Sequence, residues 1–269
     1  MILDFHVHCF PDDLARRAVP AMAARAGIGT ALDGTLGALA ASMDRAGIDI
    51  AVVQPIATRP GQERSVNGWA VSIRSARILA FGSIHPATPD WRGEIARLKD
   101  LGLLGVKFHP DYQDFFVDDP AVFPLYEALC EAGLAILFHA GVDLGLPEPC
   151  HCTPARLRRA IDAFPGGRFI AAHLGGYLLW KEAREHLVGR PLYLDTSYCF
   201  HKLGAEDMRE IILAHGTDRI LFGSDSPWGD QGEAVAQIRG LGLAAADEEA
   251  ILAGNAGRML GRALSVMPG

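Results

Sequence analysis

Eight short apolar runs, spread along the whole chain and separated by longer amphipathic stretches, constrain the fold more than any other feature of this sequence. They fall at 2–7, 50–55, 78–84, 103–108, 135–139, 168–173, 192–195 and 219–223. Each is brief, rich in apolar residues and bounded by Gly, Pro or polar residues, which is how a buried strand reads. The stretches between them carry helix signals. The segment from Pro120 opens with a proline suited to a first helical turn and closes at Gly133. The next opens with Thr153 as N-cap and Pro154 at the first position, and stops at Pro165.

Strand, helix, strand, helix over a full chain implies parallel β-structure with right-handed crossovers. Eight units in 269 residues fit a closed (β/α)8 TIM barrel of the α/β class, which takes ~250 residues. A doubly wound open sheet is the other reading, because strand runs alone do not show closure. No linker or composition break divides the chain, so residues 1–269 are expected to form one domain. The Ala- and Gly-rich stretch 15–39 is expected to be helix and loop between the first two strands.

Charge and composition exclude several partners. A formal net charge of −7 disfavours nucleic acid and anionic membrane, both of which are approached through clustered Lys and Arg. The longest apolar runs fall far short of the ~20 residues that span a bilayer. Five scattered cysteines (Cys9, Cys130, Cys150, Cys152 and Cys199), with no secretory leader, point to reduced thiols and a cytoplasmic protein. A small-molecule substrate is the expected partner, and a homodimer is a compatible assembly, though no motif demonstrates one.

The chemistry collects at the strand ends. The first strand ends Asp4-Phe5-His6-Val7-His8, and alternation puts both histidines on one face, where they can chelate one cation. Alone, His-x-His is better explained by two solvent-facing histidines after a short strand. The fourth strand, however, ends Gly105-Val106-Lys107-Phe108-His109, the fifth Phe138-His139, the sixth Ala172-His173 and the eighth Phe222-Gly223-Ser224-Asp225. Polar residues at the C-terminal ends of barrel strands converge on one site, and structural histidines have no reason to prefer that end. Imidazoles with a carboxylate suit a borderline divalent ion such as zinc. Val106 and Phe108 are expected to face the outer helices, leaving Lys107 and His109 inward. Cys150-His151-Cys152 is too tight for a zinc-finger pair and reads as a loop, with His151 placed to touch substrate. Cys9 reads as a small apolar core residue. His85 lines the pocket or supports structure. Tyr112, Tyr177, Tyr198 and Trp228 wall a pocket or pack under loops. His186, His201 and His215 are given no role.

This ordered set resembles the amidohydrolase superfamily, specifically its amidohydrolase-related branch of metal-dependent hydrolases and decarboxylases. The resemblance extends to 251–260, which looks like the family's closing helix. It implies that His6, His8, His139 and Asp225 hold the metal and that Asp225 takes a proton from the activated water. His173 would orient or deprotonate that water, or polarise the substrate. Lys107 either meets a substrate acid group or, carboxylated, bridges to a second ion that His173 also binds; His109 and His151 would contact substrate. The implied cofactor is a divalent metal, zinc before others, one ion with a second allowed. The implied activity is hydrolysis of a small ester, amide, lactone or related bond by metal-activated water. The alternative is non-oxidative decarboxylation of a small aromatic or unsaturated carboxylic acid. A metal-binding barrel without catalysis ranks below both, because His173 and Asp225 are both present. An adenosine-type deaminase would carry His-x-x-Glu on the sixth strand, whereas His173 is followed by Leu174, Gly175, Gly176 and Tyr177.

Overall fold

The structure, a computed structural model, describes residues 1–261. Eight strands occur among the described residues: β1 (Leu3–Val7), β2 (Ile50–Val53), β3 (Ile78–Ala80), β4 (Gly105–Phe108), β5 (Ala135–Phe138), β6 (Phe169–Ala171), β7 (Tyr193–Asp195) and β8 (Ile220–Leu221). Every apolar run contains one, and each strand is no longer than its run. The reason is that burial outlasts pairing. Gly82 still bridges Val106 two residues beyond β3, and Ile84, fully buried past that bridge, reads as strand too.

Two compact units are formed, one from Met1–Val53, Ile73–Leu79 and Asp195–Gly269, the other from Gln54–Ser72 and Ala80–Leu194. In the first, β1 lies parallel to β2, with Leu3 opposite Ile50 and Asp4 opposite Ala51. On its other side Phe5 donates its N–H to the Phe222 carbonyl at 2.8 Å, and Val7 bridges Ser226. All five residues of β1 are buried, as a parallel strand covered on both faces requires. The stretch 15–39 is a helix, Asp12–Ala26, then a loop to Thr35, whose hydroxyl caps the helix Leu36–Ala46. That helix packs against Gln231–Arg239. The expected closing helix starts as a π-helical turn, Ala250–Gly254, and continues as Asn255–Leu260. Asn255 ties it down by donating from Nδ2 to the carbonyls of Thr217 and Ile220, at 2.7 and 2.6 Å.

In the second unit β4, β5 and β6 run parallel in order, with Lys107 opposite Leu137 and Ile136 opposite Phe169, and β6 pairs Ala171 with Leu194. Its core is aromatic. Phe108 stacks on Phe138 with centroids 5.6 Å apart, and Tyr126 meets both rings edge-on at 5.9 and 5.4 Å. Such pairs add ~0.5–1.5 kcal/mol each beyond burial of their area. Tyr126 comes from the helix Phe123–Glu131, so Phe108 does face a helix, as alternation from Lys107 requires. Gly133 follows that helix at φ 69°, a left-handed conformation that glycine adopts without strain. The Thr153 hydroxyl accepts from the Arg156 N–H and starts the helix Pro154–Ala163. Among the described residues no helix is long and apolar enough to cross a membrane.

Candidate metal centre and catalytic residues

Within the first unit, three of the expected ligands meet. The hydrogen bonding beside β1 continues past the strand end: Asp225 donates its N–H to the His6 carbonyl at 2.8 Å, and His8 donates to Ser226. Asp225 sits at φ 62°, a left-handed conformation that Asp tolerates better than most residues. This turn brings its carboxylate onto the histidine face. His6 Nε2 and His8 Nε2 are 3.2 Å apart, and Asp225 Oδ1 lies 3.5 Å from the first and 3.3 Å from the second. Gly223 is needed for the approach, because a Cβ there would stand 2.8 Å from the His6 Cβ.

That triangle fits a metal. Ligands about 2.1 Å from a tetrahedral ion are separated by roughly 3.4 Å. The two imidazoles are inclined at 67°, so their planes can intersect at a shared ion. The fit extends to the supporting groups. Asp195 Oδ2 lies 2.8 Å from His6 Nδ1 in full burial, and Ser197 donates from its hydroxyl to Asp195 Oδ1 at 2.5 Å. A carboxylate on Nδ1 holds the proton there and leaves Nε2 as the bare nitrogen. Asp4, wholly buried, accepts from the Ser224 N–H and hydroxyl and from Gln231 Nε2, at 3.0, 2.6 and 2.8 Å. It thereby fixes the residue just before Asp225. Burial pushes the Asp4 carboxyl up to about 6 against these hydrogen bonds.

The second unit gathers His109, His139, His173 and Asp143. His109 follows β4, His139 follows β5 and His173 follows β6, each one or two residues beyond the ladder. The His173 ring reaches His139 with Nε2 3.1 Å from Nδ1, and its carbonyl accepts from the Trp180 indole at 3.0 Å. His139 Nε2 is buried and has no hydrogen-bond partner. Burial, then the neighbouring His109 and His173, hold His139 well below the ordinary histidine range, so it is neutral. A neutral buried imidazole with one uncommitted nitrogen is what a metal ligand requires.

His109 is different. Its Nδ1 accepts from the Tyr112 N–H at 3.3 Å, which places its proton on Nε2, 3.1 Å from Asp143 Oδ2. Its ring stacks on His139, 9° from parallel with centroids 4.0 Å apart. An ion lies in the plane of each imidazole that binds it, and parallel stacked rings share no such point. His109, His139 and Asp143 have donor atoms close enough for a metal, but the stacking argues against one ion shared by both rings. Lys107, 1% exposed, stands on β4 two residues before His109.

Two further features line this unit. A cavity of about 490 Å3 is walled by Thr58, His85, Tyr112, Asp114 and Phe115, among others, so His85 and Tyr112 are pocket residues. Behind it Gln113, 1% exposed, donates to the carbonyls of Ala57 and Ile84 at 2.9 and 3.0 Å and accepts from the His109 N–H at 2.9 Å. His151 is paired with Asp111, Nδ1 lying 2.9 Å from Oδ1. Cys9 is buried, and none of the five cysteines is in a disulfide. Asp195, Asp143, Asp111 and Gln113 were not foreseen as site residues. Asp195 alone had a readable signal, since it ends β7 as His6, His139 and Asp225 mark the ends of their runs.

The amidohydrolase family model matches residues 3–262. No curated protein is similar enough to count as a match. Among solved structures, an uncharacterised TIM-barrel protein from Bordetella bronchiseptica is 24% identical with a TM-score of 0.80, over 97% of this chain and 99% of that one. The 5-carboxyvanillate decarboxylase of Sphingomonas paucimobilis is 17% identical with a TM-score of 0.70, over 96% and 98%. A candidate 2-pyrone-4,6-dicarboxylic acid hydrolase from Pseudomonas putida is 19% identical with a TM-score of 0.71, over 97% of each chain. These likenesses carry the fold, an α/β (β/α)8 barrel, and not a reaction. The match over nearly the whole sequence establishes that the chain belongs to the amidohydrolase family.

Proposed function

We propose that this protein is a metal-dependent hydrolase of a small ester, amide, lactone or related bond, with its divalent ion held by His6, His8 and Asp225. The observation that carries the reading is the triangle of two Nε2 atoms and one carboxylate oxygen, 3.2–3.5 Å on each edge. Three protein ligands leave a tetrahedral ion an open position, which is the pattern of catalytic rather than structural sites. Zinc suits the nitrogen and oxygen donors. When bound, such an ion lowers the pKa of water to ≈ 7 and makes a nucleophile available at neutral pH.

The chain's own residues then do the following. Asp195 keeps the His6 proton on Nδ1 and the ring in one orientation. Asp225, through its carboxylate, takes the proton that attacking water loses. His173, oriented by its contact with His139, steers the water or polarises the substrate. The resemblance also assigns His139, whose Nε2 has no hydrogen-bond partner, to the ion as a fourth ligand, in which case water would take a fifth position. Lys107 is a substrate contact or, carboxylated, a bridge to a second ion. Five cysteines scattered along the chain favour a reducing, cytoplasmic setting.

The test is twofold. Metal content is measured on protein purified without added metal, for wild type, His6→Ala, His139→Ala and Lys107→Ala. One equivalent in wild type and Lys107→Ala, lost in His6→Ala, supports the single-ion reading; two equivalents falling to one or less in Lys107→Ala identifies the bridge. Reaction type is read with ester, lactone and hydroxybenzoate panels, scoring uptake of labelled water against release of carbon dioxide. Carbon dioxide without water uptake would replace hydrolysis by the decarboxylase reading.

A further inference from the structure

The 490 Å3 cavity of the second unit falls within the ~300–1,000 Å3 that small-molecule pockets occupy. Among the described residues, none assigned above to the metal or to water activation lines it. Its wall is held in place from behind. The helix Glu63–Ser72 grips the segment after β3 through two buried side chains. Asn67 accepts from the Ser83 N–H at 2.8 Å and donates to the Ser83 carbonyl at 3.0 Å. Glu63 accepts from the His85 N–H at 3.1 Å and from the Thr88 hydroxyl. Gln113, also on the wall, has spent both amide hydrogens on backbone carbonyls, so it braces the cavity and offers no donor.

His85 supplies the donor instead. It lines the cavity, and its Nδ1 accepts from the Ala87 N–H at 3.1 Å. A nitrogen that accepts carries no proton, so the neutral ring bears its proton on Nε2. Burial holds His85 below the ordinary histidine range, against the raising charges of Glu63 and Asp114, so the ring is neutral at pH 7. His85 thus brings one fixed N–H to the wall and no charge. Much of the remaining lining is apolar or aromatic, with Pro86, Tyr112, Phe115 and Val122. Among the described residues that line the cavity there is no Lys or Arg, and Asp114 is the one carboxylate. An anion lodged there meets a like charge and no counter-charge. A purely apolar molecule leaves the His85 N–H without an acceptor, at a cost an oxygen on the ligand removes.

We infer that this cavity binds an uncharged small molecule, its aromatic ring packed against Phe115 and Val122 and its acceptor oxygen, carbonyl or hydroxyl, on the Nε2–H of His85. The oxygen sets the orientation, and the aromatic and aliphatic wall supplies the affinity through burial of the ring. Carboxylates of the same ring are rejected by charge. The inference goes beyond the hydrolytic reading and does not depend on it, because binding is read without turnover.

The experiment uses the full chain as purified and three probes built on one ring system. At neutral pH, 2-naphthol is uncharged and carries an acceptor oxygen, naphthalene carries none, and 2-naphthoate is an anion. Ligand-observed NMR titrations measure binding to wild type, His85→Phe and Ala121→Trp. Ala121 is exposed on the cavity wall, so an indole there fills space at little cost to folding. Wild type is expected to bind 2-naphthol roughly three- to tenfold tighter than naphthalene, the worth of one hydrogen bond. It should bind 2-naphthoate about tenfold more weakly than 2-naphthol, or worse. His85→Phe should erase the advantage of 2-naphthol and leave naphthalene within a few-fold, while Ala121→Trp should weaken both by about tenfold or more. Ring-nitrogen shifts of labelled histidine, with the His85 signal assigned by its loss in His85→Phe, should place its proton on Nε2. Failure of wild type to bind 2-naphthol, or 2-naphthoate binding as tightly, would overturn the inference. So would an advantage of 2-naphthol that survives in His85→Phe, unaltered binding in Ala121→Trp, or a proton on Nδ1. Equal weakening of both neutral probes in His85→Phe would give His85 a structural role and overturn it as well. The metal-content and product assays above stand or fall separately from these readouts.

Discussion

The Nδ1 nitrogen of His6 lies 2.8 Å from Oδ2 of Asp195, with both side chains closed off from solvent. This contact ties the end of β7 to the histidine on β1 and decides which nitrogen of His6 is available. Replacing Asp195 with Asn keeps the shape but removes the charge that holds the proton on Nδ1. Metal affinity is expected to fall ~10–100-fold, with a native circular dichroism spectrum. Competition against a chromogenic chelator measures it.

Gly223 tests the geometry from the backbone side. The Cβ of Gly223→Ala would stand 2.8 Å from the His6 Cβ and 3.3 Å from that of Ser197. His6 is held on a strand and cannot retreat freely. The variant is expected to lose about 1–3 kcal/mol of stability and to bind metal more weakly than wild type. Urea unfolding and the chelator assay read the two effects separately.

Gln113 joins three loop segments of the second unit through its one buried amide. Gln113→Ala leaves two carbonyls and the His109 N–H without partners, at a cost of roughly 2–4 kcal/mol. Gln113→Glu should be at least as harmful, because a carboxylate cannot donate to Ala57 and Ile84. Thermal and urea midpoints of both variants check this.

Asp118 sets a pH dependence of stability. Burial raises its carboxyl, but hydrogen bonds and charges from Arg156 and Arg159 outweigh that and hold it below the ordinary range. A carboxyl depressed in the folded state stabilises above its unfolded pKa of ~3.9 and loses that stabilisation as pH falls through the folded value. Asp118→Asn should therefore destabilise at neutral pH, by about 1 kcal/mol given the partly exposed arginines. The difference should vanish in acid. Urea midpoints across pH 2–7 give the result.

The legible part of this molecule was what burial and period control. Parallel strands covered on both faces are apolar runs, so all eight could be located, and the two-residue period placed His6 and His8 on one face. Strand ends were harder, because Ile84 stays buried beyond the last bridge at Gly82. The supporting carboxylates show a different limit. Asp111, Asp143 and Asp195 acquire meaning only from the ring each one faces, and those rings lie 40, 34 and 189 residues away in sequence. Gln113 likewise looks like any loop residue until the three segments it joins are brought together.

The most direct test is metal content per chain, measured on protein purified without added metal, for wild type, His8→Ala, Asp225→Ala and His109→Ala. The account predicts about one equivalent of a divalent ion in wild type and in His109→Ala. It predicts a loss of at least tenfold in occupancy for the other two. Full occupancy in His8→Ala and Asp225→Ala, or loss in His109→Ala alone, would contradict it and move the metal to the second unit's cluster.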